Sequence, residues 1–598
     1  MHQTLAGMQR KDWDRRVGES TEGEPDTCLS ALDDFHAHGK AAPSTGELDR
    51  AISDAIQRAA DAGASRSFVK KLTSFLTVKY RDSFRLQLGA DAPARVKPLK
   101  LKFDESSFPK NVHPRRYSPP QQRFLEKAVP EMERVGILKR STTRFVAPPY
   151  LPVKKGEGPG AYRFCVDSRI QNRCTEAHSY AIPIINELLS SLLGGKIFAS
   201  FDLVRGFYQF PLHKDSQKYA GVITHSGTWS FTRCIMGMLN SCGYFVDVMR
   251  GVLDGTSDPT VGPPDNPEKK PEVNEKDPEV IKRRINLFNK RLVSYVDEQL
   301  AAGAGDTLSI AENDLLETID IYLHRCKVFN IRLKITKCNF WMRSLEWCGH
   351  KVSERGVSIA PSRLEALNKI PVPITGGELM QYVCALNFLR NKIPFFSALV
   401  APLRGKLNAC LDKCKRRTKN DADRIKLADV GWTRKDTSVF EKTKQALRDA
   451  VTLVRYDDRT HTLCLLADAS SDHFGSVLTQ IKDCEVNLPF NEQNHEPIEI
   501  LSGSFKPDTA PARWAINSKE LYAIIHAVKR LRYYLARPKA WLLYTDHRNL
   551  VYLLAPSIAR VRVSQASMDR LIRWSWELIG MNYRIIHIPG ERRGQLRS

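Results

Sequence analysis

The stretch KIFASFDLVRGFYQFPL, residues 196–212, decides the fold. Ile197, Ala199 and Phe201 alternate with Phe198, Ser200 and Asp202, and a side-chain period of two belongs to an extended strand whose successive residues face opposite ways. Asp202 therefore closes a buried strand. A second stretch, RLVSYVDEQLAAG (291–303), runs apolar from Leu292 to Val296 and then delivers two adjacent acids, Asp297 and Glu298, into what reads as a hairpin turn. Acids at the ends of buried strands suffer desolvation and mutual repulsion unless a cation neutralises them. Magnesium suits such a place, because it takes hard oxygen ligands and keeps positions open for water and phosphate. Two such ions can hold an attacking hydroxyl and a leaving pyrophosphate. Ordinary turn acids give the same spacing, so on spacing alone both readings stay open.

Around these strands the chain divides by composition. Residues 1 to about 45 are polar and low in apolar periodicity, a leader expected to be disordered. LDRAISDAIQRAADAG and SFVKKLTSFLTVKYRDSFRLQLG repeat apolar positions at three and four and read as helices that end near glycine. A new unit opens at RRYSPPQQRFLEKAVPEMERVGIL, with Ser118 as N-cap, Pro119 in the first turn, Phe124, Val129, Met132 and Val135 on one face, and a kink expected at Pro130. Strands and helices then alternate to about Lys351. One proline- and charge-rich segment, within 255–285, interrupts them and reads as a disordered insertion. A helical stretch from Pro361 to Leu407 leads to the basic run CKRRTKNDADRIK, which reads as a linker. A strand-rich unit follows from about Trp432.

That last unit carries a second set of acids. TLCLLADASSDHFGSVLTQ reads as a strand ending at Asp468, a turn and a returning strand around Gly475. NSKELYAIIHAVKRLRYYL is a helix with Leu521, Ile524, Val528 and Leu531 on one face and Glu520 near its start, and KAWLLYTDHRNLVYLL delivers Asp546 from another strand end. Three such acids suit a two-metal hydrolytic centre. Each also has a plain alternative: Glu520 stands three after Asn517 and could complete a capping box, and Asp546 could cap the next helix.

The chain has 91 lysines and arginines against 67 aspartates and glutamates, a net charge of +24. Such an excess suits a polyanionic partner, although a solvated basic surface gives the same count. No apolar run approaches the roughly 18–20 residues needed to cross a bilayer, and the first residues lack the apolar core of a secretory signal. The expectation is a protein inside the cell, in cytoplasm or nucleus, with no membrane partner. The 13 cysteines follow no zinc spacing and read as reduced thiols.

Read together, the motifs resemble the reverse transcriptases of gypsy-type long-terminal-repeat retrotransposons. GILKRSTTRFVAPPYLPVKK is similar to that family's finger strands, and YRFCVDSRIQNRCTEAHSYAIPIINELLSSL to its R-F-C-V-D-x-R-x-x-N segment. FASFDLVRGFYQFPL resembles its first catalytic strand, FTRCIMGMLNSCGYFVDVM the helix after the nucleotide pocket, and YVDE the YxDD turn. LKITKCNFWMRSLEWCGHKVSERGVSI and ALNFLRNKIPFFSALVAPL resemble the thumb and connection, so the likeness spans roughly Val96 to Leu407. ADAS, SKELYAI and YTDHRNL resemble the attached RNase H domain, from about Trp432 onward.

The resemblance implies a multidomain α+β and α/β protein, a right-hand polymerase followed by an RNase H-like α/β domain. The expected divisions are a leader and helices over 1–95, fingers and palm over 96–355, thumb, connection and basic linker over 356–430, and the RNase H-like domain over 431–598. It implies that Asp202, Asp297 and Glu298 hold two magnesium ions, with manganese as a substitute, and that Asp468, Glu520 and Asp546 hold a second pair. Lys154 and Arg163 would neutralise the incoming deoxynucleotide triphosphate, and Phe207 would be the steric gate against a ribose 2′-hydroxyl. Asp167, Arg169 and Asn172 would be architectural. The implied partners are an RNA or DNA template-primer, an RNA–DNA hybrid and deoxynucleotides.

Three features depart from the family. Glu298 stands where it has aspartate, the acidic turn follows a long insertion, and HIPGERRGQLRS has no fourth acid after its PG turn. They open a second reading, a decayed or host-adopted copy that binds nucleic acid with little catalysis. No Asp-Thr-Gly or Asp-Ser-Gly protease segment and no His/Cys zinc module is present, so the chain is expected to be a portion of a longer polyprotein or a separately read frame.

Overall fold

The alternating strand Ile197–Asp202 takes an inner position in a four-stranded antiparallel sheet, in the order Asn339–Met342, Ile197–Asp202, Glu298–Gly303, Leu292–Tyr295. Its two faces feed two different cores. Ile197, Ala199 and Phe201 join the cluster built on Leu315, Ile319 and Tyr322 of the helix Leu308–Phe329. Phe198 turns the other way, to Leu189, Leu192, Val293, Leu300 and Trp347. Burial on both sides explains why the strand is apolar at nearly every position. The computed structural model describes residues 45–153, 162–259, 278–506, 509–547, 573–574 and 576–588. The expected leader therefore lies outside the described residues, apart from its last position.

Next to this sheet stands a second four-stranded sheet, ordered Leu138–Arg140, Gly227–Phe231, Gly221–Thr224, Val146–Ala147. The helix Pro119–Arg134 leads into it, started by the Ser118 backbone N–H donating to Gln121 Oε1 at 3.0 Å. That helix continues four residues beyond Pro130.

The first of the early helices, Thr45–Asp61, packs on Asn339–Met342, and the second, Arg66–Ser74, packs on Leu308–Phe329. Buried Glu312 ties them down by accepting from the Ser65 backbone N–H at 2.9 Å and from Trp341 Nε1 at 3.0 Å. The second helical pattern was expected to reach Gly89 and does not. Phe84–Arg85 pairs as a parallel strand with Leu333–Lys334, because Phe84 is fully buried against Phe340 and that burial overrides the helical period.

The insertion expected over 255–285 is also corrected at its far end. Pro278–Arg284 is a helix with Val280 buried, and Lys282 pairs with Asp320; residues 260–277 lie outside the described residues.

Helices Pro361–Asn368, Gly376–Asn387, Phe396–Asp412 and Arg434–Arg448 share one core around Leu379, Leu386, Leu403, Phe440 and Leu447. The basic run expected as a linker is part of it. Thr418 caps the helix Lys419–Asp423, buried Ala422 packs against Gly376–Asn387, and Thr375 Oγ1 donates to Asp423 Oδ1 at 3.2 Å. Its charges face water while Ala422 and Ile425 reach the core, which is what a charge run on a packed helix usually means. Since Arg434–Arg448 belongs to this core, the strand-rich unit begins near His461, later than the expected 431.

That unit is a five-stranded mixed sheet, ordered Glu496–Ser504, His473–Lys482, His461–Ala469, Trp541–Thr545, Tyr583–His587. The last two neighbouring pairs are parallel, and the helix Ile516–Arg530 packs across the sheet through Leu521, Ile524 and Val528. Among the described residues no helix is long and apolar enough to cross a membrane.

Candidate active sites

Antiparallel register sets Glu298 directly opposite Asp202. Glu298 also pairs with Tyr295, which leaves Val296 and Asp297 as a two-residue turn between the strands. Val296 has φ +53, a left-handed conformation that a β-branched residue adopts only at a cost of about 1–3 kcal/mol. Its surroundings hold it there. Buried Gln299 accepts from Tyr322 Oη at 3.0 Å, and its Nε2 points at the Val296 carbonyl at 3.5 Å and at Ser294 Oγ at 3.4 Å. Asp297 abuts the loop after Asp202: a Cβ on Gly206 would lie 3.4 Å from Asp297 Cβ and 3.1 Å from the Phe245 ring.

The three acids also act on one another through their charges. Burial raises the Asp202 carboxyl to about 6, Lys337 pulls it down, and the charges of Asp297 and Glu298 push it up. Glu298 is likewise raised, by desolvation first and by Asp297 second. Its side chain is exposed to solvent, at the open end of the strand pair. Lys337 Nζ stands 3.5 Å from Asp202 Oδ2, and Cys348 Sγ donates to Glu298 Oε2 at 3.7 Å. Carboxylate oxygens are the donors magnesium takes. Among the described residues no group of three or more acids, histidines or cysteines is placed to hold a metal ion; backbone register sets Asp202 opposite Glu298, while their side chains engage Lys337 and Cys348.

In the second unit, Asp468 pairs with Gly475 near the end of His461–Ala469. The parallel neighbour Trp541–Thr545 is in register at Leu466↔Tyr544, so Asp546 emerges at the same end of the sheet as Asp468. Glu520 is buried in the first turns of Ile516–Arg530, the helix packed on the Asp468 strand. Its N-cap is Ala515, so Asn517 and Glu520 do not form the capping box. Lys519, also buried, donates to the Ser471 carbonyl at 2.6 Å and the Ala512 carbonyl at 2.7 Å, fixing the helix start beside the turn after Asp468. His587 Nε2 lies 3.0 Å from the Asp546 carbonyl. The helix that Asp546 could cap, and the tail after the PG turn, lie outside the described residues.

Two family models match the regions that carry these two acid sets. Residues 153–352 match reverse transcriptase (RNA-dependent DNA polymerase), and residues 458–581 match the RNase H-like domain found in reverse transcriptase. The retrovirus-related Pol polyprotein from transposon 297 of Drosophila melanogaster is 24% identical over 470 residues, covering 78% of this chain and 37% of that protein. The chain is thus similar in sequence to Pol polyproteins. The enzymatic polyprotein of cauliflower mosaic virus (strain NY8153) is also 24% identical, over 498 residues, 82% of this chain and 62% of that one. The chain spans between about a third and two thirds of the length of the curated relatives it matches. In fold it is similar to a foamy viral protease-reverse transcriptase in complex with dsDNA, at TM-score 0.66 and 17% identity, over 92% of this chain and 99% of that one. The same viral protein in complex with an RNA/DNA hybrid gives TM-score 0.62 and 17% identity, over 92% and 64%.

The remaining expected site residues are spread out. Arg163 donates its backbone N–H to the Pro152 carbonyl at 2.9 Å, beside the Val153–Tyr162 bridge. Lys154 lies outside the described residues. Phe207 is buried in the core with its ring 4.9 Å from that of Phe245, which is the packing role that competes with a gate. Asp167 is clamped by Arg115 and by Arg169, whose Nε and Nη2 each lie 2.6 Å from it. Asn172 donates to the Gly237 carbonyl and accepts from the Leu239 backbone N–H, both at 2.9 Å. Lys337, Cys348, Gln299 and Tyr322 escaped the sequence reading. Only Gln299 carried a local signal, a lone amide in an otherwise apolar strand.

Proposed function

We propose that this chain is an RNA-directed DNA polymerase with an attached ribonuclease H, acting on a primed RNA or DNA template and on the RNA–DNA hybrid that results. The observation that carries the reading is the register of Asp202 against Glu298 at the mouth of a strained acidic turn. When bound, a pair of divalent ions, magnesium or in its place manganese, supplies activation of the primer 3′-hydroxyl and stabilises the leaving pyrophosphate. Asp202, Asp297 and Glu298 would hold that pair, and Asp468, Glu520 and Asp546 would hold the pair that serves hydrolysis. The Tyr322–Gln299 contact keeps the turn from relaxing, so Asp297 stays directed at the loop after Asp202. Arg163 and Lys154 on the fingers would bind the triphosphate, and Phe207 would exclude a ribose 2′-hydroxyl. The net charge of +24 favours phosphate contacts that do not read sequence, so binding weakens steeply with salt.

The quoted motif series supports assignment to the gypsy type, and deoxynucleotide substrates put the work inside the cell, in cytoplasm or nucleus. The deciding test is extension of a primed RNA by the purified chain in magnesium, beside Asp202→Asn and Glu298→Asp. Extension that the Asp202→Asn change and a chelator both abolish is the expected result. Extension by Glu298→Asp alone would make the wild-type chain a decayed copy, and none in magnesium or manganese for either would overturn the proposal.

A further inference from the structure

Glu298 has one more rotor than an aspartate, and it faces Asp202 across the strand pair beside Asp297. Repulsion from two carboxylates would turn so long a side chain out of the cleft unless a donor held it. Among the described residues, the donor that meets its carboxylate comes from far along the chain. Ser344–Trp347 and His350–Ser353 form a hairpin in which Trp347 pairs with His350, so Cys348 and Gly349 are its two-residue turn. Both have positive φ, +48 and +76, the type I′ pattern for which asparagine and glycine are the economical choices. Cysteine at the first of these positions gains nothing from turn chemistry. What it does gain is placement: its Sγ lies 3.7 Å from Glu298 Oε2.

We propose that Cys348 is a positioning residue for Glu298, its thiol hydrogen bond holding the longer carboxylate over the cleft so that glutamate serves where a shorter acid would need no such support. The pair forms a matched unit: the extra methylene carries the carboxylate outward to the hairpin, and the hairpin turn presents the donor that meets it. The hairpin itself is set by its neighbours. Arg363, stacked on Phe388 with its guanidinium carbon 4.1 Å from the ring centroid, occupies the space where a side chain on Gly349 would go. The turn therefore cannot shift towards that side, and Cys348 keeps its place facing Glu298.

The inference rests on the proposed function, and its test reads metal binding and thiol chemistry apart from polymerisation. Binding of Mn²⁺ to the full chain is measured by electron paramagnetic resonance for wild type, Cys348→Ala, Cys348→Asn, Glu298→Asp and the double variant Glu298→Asp with Cys348→Ala. Asparagine keeps the turn and brings an amide donor, so Cys348→Asn stands in if alanine disturbs the hairpin. The expected result is a loss of roughly 3- to 10-fold in affinity for Cys348→Ala, partial recovery in Cys348→Asn, and no further loss when the cysteine is removed from the Glu298→Asp chain. Alkylation of Cys348 by N-ethylmaleimide, followed peptide by peptide, should quicken several-fold in Glu298→Asp, where the thiol has lost its acceptor. Equal losses in both backgrounds, or unchanged affinity and unchanged alkylation, would overturn the role of Cys348 while leaving the polymerase reading intact. Failure of the wild-type chain to bind Mn²⁺ at all would bring down both.

Discussion

At the scale of single residues, the acids at the strand ends set how the molecule responds to pH. Burial lifts the Asp202 carboxyl to about 6, above the roughly 3.9 of an unfolded aspartate. Ionising it in the folded chain therefore costs stability. That cost is complete above about pH 6 and disappears as pH falls through 6 towards 4, so acidification relieves the metal-free protein at this position. A divalent ion competes with the proton for the same oxygens and loses affinity over the same range, about tenfold per pH unit below 6 for a single carboxyl. Thermal unfolding with and without Mn²⁺ at pH 7.5 and 5.5 checks this: the upward shift given by the ion should shrink at the lower pH, and a shift of equal size at both would refute it. Phe207 poses a different question, because its ring is both core and candidate gate. Replacing it with valine should cost about 1–2 kcal/mol through lost packing on Phe245. If it also gates, ribonucleotide incorporation should rise relative to deoxynucleotide in competition assays; selectivity that stays put leaves packing as its whole role. Asp202 was legible because two-residue alternation is a local signal, and Asp297 with Glu298 because an apolar run ended in them. Lys337 and Cys348 were not, since each reaches the cleft only through the pairing of strands more than a hundred residues from Asp202 or on a separate hairpin, and neither carries a pattern of its own.

At the scale of elements, side chains that bridge distant segments decide what periodicity cannot. The Phe84 strand read as helix because its apolar spacing fits both, and only the partner Leu333–Lys334 resolves it. The basic run at 414–426 read as a linker because its charges outnumber its apolar residues, yet Ala422 and Ile425 are enough to seat it. Arg325 shows the same logic at the insertion. Fully buried on the helix Leu308–Phe329, it donates through Nη1 to the Val252 carbonyl at 2.8 Å and the Leu253 carbonyl at 2.5 Å, and through Nη2 to the carbonyls of Ile285 and Lys282. One guanidinium thus gathers the chain on both sides of residues 260–277. Removing it by Arg325→Leu strands several buried carbonyls and should cost about 3 kcal/mol or more, visible as faster proteolysis between residues 250 and 290. Replacing 260–277 with a short glycine-serine linker leaves that clamp in place and should preserve primer extension. Loss of extension in the shortened chain, with thermal unfolding unchanged, would instead give the insertion a part in the reaction.

At the scale of the whole molecule, the two acid sets are joined through the helical connection, and the joint runs beside the second of them. Phe395, itself at φ +50, lays its ring against Gly475: a Cβ there would meet the ring at 3.0 Å. Around it Ser397 Oγ and Ser502 Oγ are 3.2 Å apart, Arg390 Nη2 donates to the Ser502 carbonyl at 3.3 Å, and buried Lys392 donates to the Val357 carbonyl at 2.6 Å. Gly475 is the register partner of Asp468, so pressure on the joint is transmitted to the strand that carries the acid proposed for hydrolysis. Valine is otherwise welcome in a strand interior, which isolates the effect of docking. Gly475→Val must push Phe395 away by a few tenths of an ångström, an overpacking cost of about 1–3 kcal/mol. Because Asp202, Asp297 and Glu298 sit on a different sheet, primer extension should be nearly unchanged while cleavage of the RNA strand in a hybrid falls several-fold. Adding Phe395→Ala opens the space and should restore much of the cleavage, a non-additivity that double-mutant analysis measures directly. If extension and cleavage fell together, or if Phe395→Ala rescued neither, the connection would be coupling the two sites by some route other than this contact.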